Sequence, residues 1–345
     1  MSFRWYLIYF MCIPGLFAYS INSGFSEGCH ELLTAQSFIA ATESLNFDGD
    51  QIPLPGDDKW LRVIDTTANL PLVNKKRKFY LFSLIAGVRS NDNDGHSTLN
   101  TNALRILHVD DDAQADHMLR EPRHDYTDGD RQAIEAGVQR LKELFSIGQS
   151  FRNKTSSEQL IEIRIYFDFY GQVKMPVWGP AFYLGKALHI IQDSFTHTIR
   201  SEDMTKILHV LNYAEALYGK WEQQRDGLRH STCLDSCSEN NEKDKAAGEA
   251  TKELFEIANS IIFDGLNPDT ASSTFIDKWF QYQPGCDYAN NYCDSKWAVI
   301  AAASPTVPYT QAVFGCNLAA YAQGLPLVYI FLGCWVCALL IRRIL

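Results

Sequence analysis

Residues 179–200 read GPAFYLGKALHIIQDSFTHTIR, a run apolar enough to be a buried helix that nonetheless carries His189, Asp193 and His197 at steps of four. At about 100° per residue, a step of four turns a helix face by only about 40°, so the three side chains share one stripe about 12 Å long. A core built around this helix has to accommodate a carboxylate and two imidazoles, which without partners would cost several kcal/mol. Either neighbouring elements supply hydrogen-bond partners, or a metal ion does. Three such groups on one face favour the ion, because neutral imidazole and carboxylate are donors that zinc prefers.

Elsewhere apolar residues recur at three and four in 30–45, 75–88, 113–122, 128–148, 156–173 and 204–224, with one more helical stretch near 245–264. Within 156–173 the segment IEIRIYFDF is also compatible with a strand. The expected fold is all-α, a multi-helix bundle broken at 48–58, 90–102 and 236–244 by Pro, Gly, Asn and charge.

The two ends differ from the middle. Residues 1–20 place Arg4 before an apolar stretch and close on Ala18-Tyr19-Ser20, as a signal peptide does. Residues 324–341 are uncharged and apolar, with Arg342 and Arg343 after them, which predicts a transmembrane helix, a cytoplasmic tail at 342–345 and an exported remainder. Between them, 21–264 is the expected helical domain and the Cys-, Pro- and Tyr-rich 265–323 a cap or stalk. Six cysteines fall outside the two apolar ends, an even number suited to disulfides in an oxidising compartment. Proximity suggests Cys286 with Cys293 and Cys233 with Cys237, without fixing any pair. Asn153-Lys154-Thr155 is a glycosylation sequon. The net charge of −10 argues against a nucleic-acid partner.

A metal cluster needs ligands from several segments. His30 opens the first mature helix; Asp92 and His96 lie at a helix end; His108 follows; and His209 sits among apolar residues with Glu215 and His230 behind it. Asp116-His117 and His124-Asp125 read as surface pairs, and Asp110 to Asp112 as a solvated charge run. Trp178, Phe182 and Tyr183 either line a substrate pocket or pack in the core.

The run AFYLGKALHIIQDSFTH resembles the helix of the zinc-dependent phospholipase C family that supplies a His, a metal-bridging Asp and a second His, matching His189, Asp193 and His197. The same helical scaffold recurs in S1/P1-type nucleases. The resemblance further implies His30, Asp92, His108 and His209 as ligands, Asp92 as the base, and two or three Zn2+ ions, with Glu215 in place of a glutamate missing after His209. It covers about 28–230. The spacing of three residues between Asp193 and His197 departs from the five of the family's best-known form, and the family's amino-terminal Trp ligand has no counterpart. The expected activity is phosphodiester hydrolysis by a membrane-anchored zinc enzyme acting on phospholipid head groups, with no protein partner inferred. A nuclease on the same scaffold, or a non-enzymatic surface protein stapled by metal, are the alternatives.

Overall fold

Residues 28–44, 51–56, 74–97, 100–121, 126–167, 171–231, 233–235, 237 and 242–302 are described by the computed structural model. The expected leader and membrane helix lie outside them. Among the described residues no helix is long and apolar enough to cross a membrane. The helices are α1 (Cys29–Ser44), α2 (Lys75–Asn93), α3 (Thr101–Val109), α4 (Tyr126–Ser150), α5 (Gly179–Thr196), α6 (Ala214–Tyr218), α7 (Gln223–Asp226), α8 (Glu242–Asn259), α9 (Pro268–Trp279) and α10 (Lys296–Ala302). Among the described residues five strands accompany them: β1 (Leu160–Phe167), β2 (Gly171–Trp178), β3 (Thr198–Arg200), β4 (Lys206–Val210) and β5 (Gln281–Tyr282). Mostly helical architecture is as expected, but small sheets join it.

Helix α5 is the central element: all its residues are buried except Tyr183 and Lys186. It packs against α1, α2, α4 and α8. Its closest approach is to α2, where two glycines face each other. A Cβ on Gly87 would lie 2.0 Å from the Phe182 carbonyl oxygen, and one on Gly185 would lie 2.1 Å from the Leu84 carbonyl oxygen. Backbone therefore meets backbone, which only glycine permits. Asp92 is five residues on from Gly87 and His189 four on from Gly185, so this crossing sets the distance between two candidate ligands.

The ends of α2 are fixed locally. The Asn74 side chain accepts from the Lys76 and Arg77 N–H groups at 2.9 and 3.2 Å, a regular N-cap. At the other end Asp94 is left-handed at φ 40°, and its N–H returns to the Ser90 carbonyl.

Three expected helices are corrected. Within 156–173 the chain forms β1, which pairs antiparallel with β2 from Leu160 opposite Trp178 to Phe167 opposite Gly171. Ile165 and Phe167 are buried while Glu162 and Arg164 are exposed, so side-chain alternation prevailed over the helical spacing of the same residues. Within 204–224 the run KILHV is β4, paired with β3 and, in parallel, with β5; only the short α6 and α7 follow. The Asp203 carboxylate accepts from the Ser201 hydroxyl and from the Thr205 N–H and hydroxyl, a tight turn that sends the chain back as a strand. Within 113–122 the chain is a 3-10 helix, Asp111–His117, stopped by left-handed Met118.

Residues 265–302, expected as part of a cap or stalk, carry α9 against α4 and α8 and place Phe275, Trp279, Phe280 and Trp297 in the shared core. Cys286 pairs with Cys293 as proximity suggested. Cys237 pairs with Cys29, across 208 residues, rather than with Cys233.

Candidate metal centre

The helix stripe meets four other segments. His30 comes from α1, Asp92 from the last turn of α2, His108 from α3 and His117 from the 3-10 helix, while His189 and Asp193 stand on α5 and His197 caps it. None of the seven is more than 3% exposed, so the cluster is closed to bulk water in this conformation.

Asp193 divides its two oxygens. Oδ1 faces His30 Nε2 at 3.3 Å, and Oδ2 faces His117 Nδ1 and His189 Nε2, each at 2.9 Å. Asp92 does the same at longer range, with Oδ1 at 3.3 Å from His108 Nε2 and 3.6 Å from His189 Nε2, and Oδ2 at 3.9 Å from His30 Nε2. His197 Nδ1 also lies 3.8 Å from Asp193 Oδ2, so two carboxylates share five imidazoles. His30, Asp92 and His189 form one triad of donors, Asp92, His108 and His117 a second, and His117, His189 and Asp193 a third.

The outer sides of the rings decide the tautomers. Carbonyl oxygens can only accept, so the nitrogen facing one must carry the proton. His30 Nδ1 donates to the Gln192 amide oxygen at 2.7 Å, and Gln192 is held in turn by donating to the Thr34 hydroxyl at 2.9 Å. His108 Nδ1 donates to the Leu104 carbonyl at 2.7 Å, and His197 Nδ1 donates to the His117 carbonyl. In His30 and His108 the Nε2 atom is left facing the carboxylates, the arrangement that orients metal-binding histidines, while the donors of His197 lie with those of His230 and Asp235.

Charge points the same way. Burial by itself lowers the His30 pKa, but the Asp193 and Asp92 carboxylates outweigh it and raise it to about 9. Without an ion the carboxylates draw a proton onto a buried ring. His197 moves oppositely: burial lowers it to about 4 against the pull of Asp193, so it is neutral and able to ligate at ordinary pH. Buried atoms without a hydrogen-bond partner include His117 Nε2, His189 Nδ1 and His197 Nε2. The donor set, nitrogen and oxygen with no sulfur, suits a divalent metal ion.

A further group lies behind His197. Its donors, with those of His230 and Asp235, fall within 4.8 Å of one another, and His230 Nε2 is 3.2 Å from Asp235 Oδ2. Burial raises the Asp235 carboxyl well above the usual range.

Of the candidate ligands read from the sequence, six converge: His30, Asp92, His108, His189, Asp193 and His197. His209 does not join them. On β4 its Nδ1 donates to Asp130 Oδ2 at 3.1 Å and its Nε2 accepts the Leu228 N–H at 3.1 Å, so both nitrogens are engaged. Glu215 and His96 are also outside the donor groups found among the described residues. Trp178, Phe182 and Tyr183 make aromatic packing contacts: Trp178 stacks edge-on against Tyr80 and bonds Gln159, Phe182 meets Tyr183 edge-on, and Tyr183 lies against Phe151.

His117 is the residue the sequence reading missed. Adjacent residues of a 3-10 helix point about 120° apart. Asp116 turns out to Arg140 at 2.7 Å while His117 turns in and is fully buried. His117 follows His108 by nine residues, a spacing without meaning until the 3-10 turn and Met118 are known. His230, the candidate behind His209, joins His197 and Asp235 in the further group, and Asp235 was hidden because it lies on irregular chain.

Comparison with family models, with curated proteins and with solved structures finds no match.

Proposed function

We propose that this protein is a zinc-dependent hydrolase of phosphodiester bonds, with phospholipid head groups as its substrate class. The single observation that carries the proposal is the set of three interlocking donor groups that His30, Asp92, His108, His117, His189 and Asp193 form, every member buried. His30, His117, His189 and Asp193 would hold one ion, Asp92 and His108 another beside it, and His197, His230 and Asp235 a third. Divalent ions in such a pocket supply Lewis acidity and a route to a nucleophile at neutral pH. The chain's own part is positional: Gln192 and the Leu104 carbonyl lock ring orientation, and Asp92, whose carboxyl is held below its usual range against the pull of burial by the imidazoles of His189, His108 and His30, would orient or deprotonate the attacking water.

Burial favours a second reading. A centre whose members are all at or below 3% exposure has the enclosure of a structural metal staple. Purified protein assayed on phosphatidylcholine, bis-p-nitrophenyl phosphate and single-stranded DNA, with and without chelator, separates the two. Chelator-sensitive turnover of a phosphodiester supports the hydrolase. Metal loss that lowers the melting temperature, with no turnover of any substrate before it, supports the staple.

Export into an oxidising compartment is part of the proposal, supported by the disulfides Cys29–Cys237 and Cys286–Cys293. Removal of residues 324–345 should release the protein from membranes; continued sedimentation with them refutes the anchor.

A further inference from the structure

The Asp130–His209 pair that stands apart from the metal cluster forms the floor of a separate cavity of about 450 Å³. Asp130 is buried and fully engaged: its carboxylate takes His209 Nδ1 at 3.0–3.1 Å, the Val210 N–H at 2.8 Å and the Tyr282 hydroxyl at 3.4 Å. With both His209 nitrogens used, this floor neither ligates a metal nor supplies a base. It is a rigid base to a binding pocket.

The walls are aromatic. Tyr282 stands on β5, and Tyr288 and Tyr292 on the loop that the Cys286–Cys293 disulfide closes. Tyr292 is 3% exposed, its ring lies 4.9 Å from that of His209, and its hydroxyl has no hydrogen-bond partner. Asn291, Tyr292, Cys293 and Asp294 are all left-handed, with φ between 52° and 57°. Four consecutive non-glycine residues in that region are strained, and such strain gathers where a loop has to hold a ligand. Tyr288, at 48% exposure, stands at the rim.

Charge narrows the ligand. The lining holds two arginines and two aspartates. Arg120 lies 3.7 Å from Asp130, Arg225 is bound to Asp226 at 2.7 Å, and Asp287 caps its own turn through the Ala289 N–H. A pocket balanced in this way has no excess positive charge to hold a phosphate, and the two arginines in its wall oppose a cation over the tyrosine faces. What remains is aromatic faces, tyrosine hydroxyls and the amides of Gln223 and Gln224, groups that both donate and accept. A neutral ring with apolar faces and an equatorial belt of hydroxyls matches them. We infer that this cavity is a saccharide-binding site, independent of the metal cluster.

Saturation-transfer NMR on the whole protein, with the methyl glycosides of glucose, galactose, mannose and N-acetylglucosamine, tests this. At least one should bind with a dissociation constant of about 0.1–10 mM, unchanged by chelator. Tyr288→Ala, at an exposed position that the fold tolerates, should weaken that binding by about tenfold or more, and Tyr292→Phe, which removes only the hydroxyl, should weaken it too. If no glycoside binds, if Tyr288→Ala binds as well as the parent, or if choline or inorganic phosphate binds in the pocket instead, the inference is overturned.

Discussion

Two buried clusters in this molecule are built from the same residue types and differ in how their hydrogen bonds close. Around Asp130 every inner nitrogen and oxygen has a protein partner: His209 is engaged at both nitrogens and the carboxylate accepts from a ring, a backbone N–H and a tyrosine. Around Asp193 the outer nitrogens of His30 and His108 are anchored to oxygen acceptors and the inner ones face carboxylates, while the buried His117 Nε2 and His189 Nδ1 have no hydrogen-bond partner. Histidine and aspartate in an apolar setting are common to both. Unspent coordinating capacity is not, and it separates a place for an ion from a satisfied core network.

That comparison is open to attack by substitution. The largest effect is expected from Asp193→Asn, which removes the charge facing four imidazoles; bound metal, read by elemental analysis, should fall below about a tenth of the parent value. Full metal content in the variant would break the distinction at its strongest point. His117→Ala should come next, lowering metal content by about half or more while the protein stays folded; an unchanged content would make His117 a packing residue. Breaking Cys29–Cys237 by a double Ser substitution should cost about 2–4 kcal/mol in denaturant unfolding. It should also loosen the segment bearing Asp235 against α1, and with it the outermost ion. Asp130→Asn should cost about 1–3 kcal/mol by leaving buried donors poorly matched, with metal content unaltered. Metal loss in that variant would tie together two clusters that are separate here.

The legible part of the site was what helix periodicity carries. His189, Asp193 and His197 fall on one stripe by arithmetic, and Asp92 lies within reach because Gly87 and Gly185 let two helices touch. The part that was not legible sits where the backbone leaves regular geometry. His117 hides in a 3-10 turn, and His209 was placed on a helix although KILHV, with its β-branched residues, forms an inner strand. The same competition misassigned LIEIRIYF, whose apolar residues satisfy a period of two as well as one near three and a half. Resemblance pointed to six of the seven converging side chains, and to His209 through a spacing that the strand does not keep.

Elemental analysis joined to X-ray absorption at the zinc edge, on protein purified without added metal, tests the central claim most directly. The account predicts two or three zinc ions per chain in a shell of nitrogen and oxygen at about 2.0–2.1 Å, with no sulfur. A folded protein that carries no transition metal, or a shell that contains sulfur, would contradict it.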